Sequence, residues 1–81
     1  MDIREKLAEA QHCIWSDWME CLFQDCIMNS DGSATIPAEK VKHWKRQIET
    51  WYPELGGEEQ ESDRHQADKV LLVIKNHAAG E

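Results

Sequence analysis

Ile3, Leu7, Ala10, Ile14, Trp18, Leu22 and Cys26 recur at intervals of three or four residues, the spacing that stacks side chains along one face of an α-helix. In a chain of 81 residues a stripe of this length commits close to a third of the sequence to one rod, along which the rest must pack. Trp15, Met19 and Phe23 lie one position further round. The apolar surface therefore widens toward the C-terminal half of the helix and needs cover on two sides there. The spacing predicts a helix over residues 3–28, either continuous or as a nearly continuous pair.

Asn29-Ser30-Asp31-Gly32-Ser33 is a run of turn formers, with Gly able to supply the positive φ of a tight turn, so the chain reverses there. Ala34-Thr35-Ile36 reads as a short extended piece with room for a pairing neighbour. Pro37 suits the first turn of a second helix, where a missing N–H costs nothing. Val41, Trp44, Ile48 and Trp51 then form an apolar stripe, with Lys40, Lys42, Lys45, Arg46 and Glu49 outside, which predicts an amphipathic helix over residues 37–50. Tyr52-Pro53 favours extended geometry at Tyr52, and Leu55 is the one apolar anchor before Gly56-Gly57. Glu58, Glu59, Glu61 and Asp63 follow, placed where acids favour a helix N-terminus. Ala67, Val70, Leu71 and Ile74 supply its buried stripe, and Gly80 lies just past its end. The third helix is predicted over residues 58–77. The fold class is all-α: one domain over residues 1–81, a small three-helix antiparallel arrangement with a long N-terminal helix and a small packed core.

Charge narrows the partners. Sixteen acids against nine bases give a net charge of −7, a field that repels phosphate backbones and argues against direct DNA or RNA binding. The distribution is uneven, at −4 over residues 1–30, +1 over residues 31–53 and −4 over residues 54–81, so an anion would dock on the middle segment. No apolar run approaches the roughly 18 residues of a membrane span, and the charged start from Met1 to Lys6 does not resemble a signal peptide. Three cysteines without Cys-x-x-Cys spacing suit small apolar packing residues in a reducing cytoplasm. His12, Cys13, Cys21, Cys26 and His43 could suggest zinc, but the eight- and five-residue intervals between the cysteines miss the chelating i, i+4 spacing. No metal or cofactor is expected. No nucleophile–base pair, phosphate loop or metalloprotease motif is visible, and the chain is read as non-enzymatic.

The candidate binding residues are Trp15, Lys42, Lys45, Arg46, Trp51 and Arg64. Four tryptophans among six aromatics exceed what so small a body hides. Trp15 and Trp51, at the margins of their stripes, are expected to be exposed, since exposed Trp beside Arg is typical of binding hot spots. The four could also build one aromatic cluster. Lys42, Lys45 and Arg46 form the basic surface of helix 2, and Arg grips carboxylate or phosphate in two-point fashion. The plainer role of that surface is to neutralise acidic neighbours within the fold. Arg64 is four residues before Asp68, the spacing of a solvated helix pair, or it turns inward to hold Glu54.

Tyr52-Pro53-Glu54-Leu55, then Glu59-Gln60-Glu61-Ser62-Asp63-Arg64 and Val70-Leu71, resemble the ryanodine-receptor (RyR) repeat domain over about a third of the chain. The wider pattern, with Trp15-x-x-Trp18-Met19-x-x-Leu22-Phe23, Ile36-Pro37, Trp44-Lys45-Arg46-Gln47 and Ser62-Asp63-Arg64-x-x-Ala67-Asp68-Lys69-Val70-Leu71, is similar to small bacteriophage and prophage proteins. The resemblance implies a non-enzymatic helical module. Two functions follow from it together with size, acidity and surplus tryptophan. The first is a phage-type accessory protein that binds and inhibits a host protein or complex, such as a defence complex, in the host cytoplasm. The alternative is an RyR-like module for a nucleotide-derived ligand, with Trp44 or Trp51 stacking on a base and Lys45, Arg46 or Arg64 on phosphate. Self-association into a homodimer is expected in addition, because three short helices leave aromatic surface uncovered.

Overall fold

The computed structural model describes residues 2–80. Helix α1 (Ile3–Asp25) is started by Asp2, whose carboxylate accepts the Glu5 N–H at 2.9 Å. It stops three residues short of the predicted end at 28. Cys26 turns extended, and Ile27–Met28 (β1) pairs antiparallel with Ala34–Thr35 (β2), Ile27 opposite Thr35 and Met28 opposite Ala34. The all-α reading thus gains a two-stranded hairpin, built on the turn run visible in the sequence. Asn29 donates its side-chain amide to the hydroxyls of Ser33 and Thr35, each at 3.0 Å, and Asp31 accepts both the N–H and the hydroxyl of Ser33. Gly32 sits at φ +90°, where a side chain would be strained. These local bonds hold β-branched and unbranched apolar residues in strand geometry where helix periodicity alone would have run on.

Helix α2 (Ala38–Glu49) and helix α3 (Gly57–Ala78) fall within a residue of the predicted bounds. The Pro37 carbonyl accepts the N–H groups of Lys40 and Val41. Between the helices, Tyr52–Glu54 forms one 3-10 turn instead of an extended loop. Gln60 of α3 fastens that turn by donating its amide to the Tyr52 carbonyl at 3.0 Å.

The sustained helix contact runs between α1 and α3. Ile3, Leu7, Ala10 and Ile14 are at least half-buried, as are Val70, Val73 and His77. Lys69 pairs with Asp17 across this seam, and that hydrogen bond holds the Asp17 carboxyl below its ordinary value of 3.8. The seam also contains Gln66 Oε1 and His77 Nδ1, both buried without a hydrogen-bond partner, which weakens it.

The expected packed core does not form within one chain. Ala10 is the one buried apolar residue among those described. Two predicted stripes are corrected with it. Ile48 is 82% exposed, and Ala67, Leu71 and Ile74 face solvent while Val70, Val73 and His77 take the inner positions. The cause is the shape of the molecule, a slab of 49 × 35 × 16 Å. Helices laid in so thin a slab touch neighbours only along their edges, whereas a core needs two packed layers.

Ala10 is the most buried of the described residues, so Ala10→Leu should overpack its surroundings and cost about 1–3 kcal/mol in chemical denaturation. Acid should act through Asp17 and Asp31, which Ser33 holds below the ordinary carboxylate range as Lys69 does Asp17. A lowered folded-state value adds stability that is present above the unfolded pKa and is lost as pH falls through the folded one. Melting temperature should therefore drop as pH falls below about 4, and Asp17→Asn should flatten that drop.

Candidate functional site

α2 meets the α1–α3 pair mainly through charge. Lys40 lies 3.8 Å from the Asp25 carboxylate. Arg46 donates to both oxygens of Glu59, at 3.1 and 3.4 Å, and His43 Nε2 is 3.5 Å from the same carboxylate. Glu59 also accepts the Gly56 N–H at 3.3 Å, an N3 acid reaching back to the residue that starts α3. With its side chain only 17% exposed, this one carboxylate caps α3, anchors α2 and positions the chain between them. The sequence showed Glu59 only as one of several acids near a helix start. The basic face of helix 2, which would have identified its partner, was the matching signal.

Beside this junction α1 and α2 diverge and leave an open groove of about 640 Å³. Trp18 and Leu22 contribute from α1, Trp44 and Ile48 from α2, and Tyr52 and Leu55 from the turn that follows. The charged side chains lining it are Asp25 and Asp63. The walls are thus aromatic and aliphatic and the charge around them is negative, which suits an apolar side chain flanked by bases better than a phosphate.

The six sequence-derived candidates do not converge on one site. Trp15 is 55% exposed, as expected, on the α1 surface away from the groove wall, where it stacks on His12 with ring centroids 5.9 Å apart. Trp51 is 79% exposed, just past α2. The single aromatic cluster does not form: Trp18 and Trp44 share the groove, while among the described residues Trp15 stacks only on His12. Lys42 and Lys45 are exposed on α2 and enter no ion pair among the described residues. Arg46 is committed to Glu59, so the neutralising role of helix 2 is realised at this position. Arg64 pairs with neither Asp68 nor Glu54. It donates to Glu61 at 3.1 Å and to the Gln60 side-chain oxygen at 3.3 Å, because Glu61, one turn earlier on the same face, is within reach of the guanidinium. That contact, with a smaller contribution from Tyr52, raises the Arg64 pKa.

Cys13, Cys21 and Cys26 are free thiols, and among the described residues no three of His, Cys, Asp and Glu come together as a metal-binding group. None of the described helices is long and apolar enough to cross a membrane. Comparison with protein-family models, with curated proteins and with solved structures finds no match. The site must therefore be read from its own geometry.

Because Glu59 holds three partners and Arg46 only one of them, the two truncations should differ. Glu59→Ala should cost about 1–2 kcal/mol through loss of the cap and the cross-helix pair, and Arg46→Ala no more than about 1 kcal/mol. Urea titration of both single variants and the double variant measures the coupling.

Proposed function

We propose that this protein is a non-enzymatic binding module that docks on another protein and works by occupying its surface. The observation that carries this reading is the open aromatic groove with Ile48 on its rim at 82% exposure and Trp51 nearby at 79%. Large apolar side chains left this exposed around a concavity are the anchors that protein interfaces bury. The net charge of −7 adds long-range attraction to a basic partner and discourages acidic ones. A small acidic accessory protein of phage type, blocking a host protein or a defence complex in the cytoplasm, fits these properties. Three free thiols suit that reducing compartment. Self-association belongs to the same reading, since a second apolar area lies outside the groove.

The nucleotide-ligand alternative draws on the same tryptophans, because Trp44 in the groove wall offers a stacking plane. Its phosphate grip is less well supported. Arg46 and Arg64 are already paired with carboxylates, and Asp25 and Asp63 edge the groove. The protein-binding reading is therefore preferred.

Ile48→Asp and Trp51→Ala should each leave the circular-dichroism spectrum and melting temperature close to wild type, because both side chains are already in water. Each should weaken capture of a bacterial protein from lysate by at least about tenfold, as loss of a hot-spot anchor does. Capture that both variants retain in full would remove the groove from the interface. A rise in wild-type melting temperature with nucleotides or cyclic nucleotides, abolished by Trp44→Ala, would favour the ligand reading instead.

A further inference from the structure

We infer that two copies of this chain pack face to face through the broad side of the α1–α3 pair, each supplying the layer that covers the other. This inference rests on the binding reading above, in that exposed apolar surface is taken to be docking surface, and it names the occupant of the area outside the groove.

The size of the exposed surface points to a second copy. The chain exposes 6550 Å², whereas a compact monomer of 9.4 kDa exposes about 5,000 Å². The surplus of about 1,500 Å² per chain, hidden on both copies, gives an interface of about 3,000 Å², within the range of obligate homodimers. The radius of gyration agrees. It is 16.2 Å, against about 12 Å for a compact chain of this length and about 15 Å for a compact body of twice the length. A single chain thus already has the reach of a two-chain particle but only half the material to fill it.

The helices show where the partner copy sits. Asp17 and Lys69 pair along one rim of the α1–α3 seam. At 100° per residue, the positions on the opposite rim are Trp15 and Trp18 on α1 and Ala67, Leu71 and Ile74 on α3. In antiparallel register from the Asp17–Lys69 pair, Trp15 comes level with Leu71, and Trp18 with Asp68, one residue beyond Ala67. All five are exposed, and together they make one uncharged apolar strip running along both helices. A two-fold axis through the strip sets it against itself, the self-complementary contact of an isologous dimer. The strip meets the groove at Trp18, which lines its wall, while the rest of the groove, from Trp44 and Ile48 to Tyr52 and Leu55, stays open to a different partner.

Light scattering and small-angle X-ray scattering on the full chain, from about 1 to 100 μM, test this directly. The expected mass is twice 9.4 kDa, with a melting temperature that rises with protein concentration. Leu71→Glu and Ile74→Glu together should weaken the dimer by at least about 100-fold. Should that variant fail to fold, the concentration dependence of the wild-type melting temperature decides alone. A monomeric mass throughout, or a melting temperature independent of concentration, would overturn the inference. Salt separates a second copy from a basic partner on the same strip. Two chains of −7 each associate more tightly as salt screens their repulsion, and association of the pure protein that weakens with salt would also overturn it. Failure here leaves the groove reading intact, because Ile48→Asp should weaken lysate capture without changing the mass.

Discussion

A helix has apolar residues to hide, and in a slab only 16 Å thick it finds neighbours at its edges and water on both flat sides. That constraint explains most of what is unusual in this protein. Apolar positions spaced for burial remain exposed, Ala10 alone among the described residues is buried, and the seam between α1 and α3 includes Gln66 and His77 atoms without partners. A seam of this kind contributes little net free energy, because each unpaired buried polar atom offsets part of the apolar gain around it. The exposed flat faces are therefore the largest reserve of stabilisation left to the chain, and it is realised only when something covers them.

Charge does the assembling that packing does not. Glu59 gathers Arg46, His43 and the Gly56 N–H, Lys69 pairs with Asp17, and Lys40 approaches Asp25. The positive middle segment is held between two negative ones, and α2 is fixed by side chains at the ends of its neighbours without being packed between them. Such ion pairs are screened by salt and individually weak. They set where α2 goes more than how tightly it stays. The groove is a consequence of that arrangement: α2 is tethered near Glu59 and stands away from α1, and the space between them is lined by Trp18, Trp44 and Tyr52.

The proposed function rests on the same two facts. The proposed binding role draws on exposed anchors, Ile48 and Trp51, left in water by the thin fold. Arg46 illustrates why a residue type alone does not define a site. By composition it is a hot-spot arginine, yet its guanidinium already holds Glu59.

Element positions were legible from the chain because they depend on local rules. The turn run at 29–33 reversed the chain after α1, Pro37 opened α2, and the acids after Gly56-Gly57 opened α3. The exposure of Trp15 and Trp51 was legible too, from their places at the margins of their stripes. The switch of Ile27–Met28 from helix to strand was not, since it depends on Asn29 reaching Ser33 and Thr35 across the turn. Nor was the helix face that α3 turns inward: Ala67, Leu71 and Ile74 are as well spaced for burial as Val70, Val73 and His77, and the inward face is the one flanked by the Asp17–Lys69 pair. The choice of Glu59 over its neighbouring acids as the anchor for α2 likewise required the helices to be in place. The sequence determined three helices, their order and their charge, because periodicity and capping act within a few residues. Tertiary structure alone decided which stripes stay in water and which cations are occupied, because those outcomes depend on the distance between side chains that are far apart in the chain.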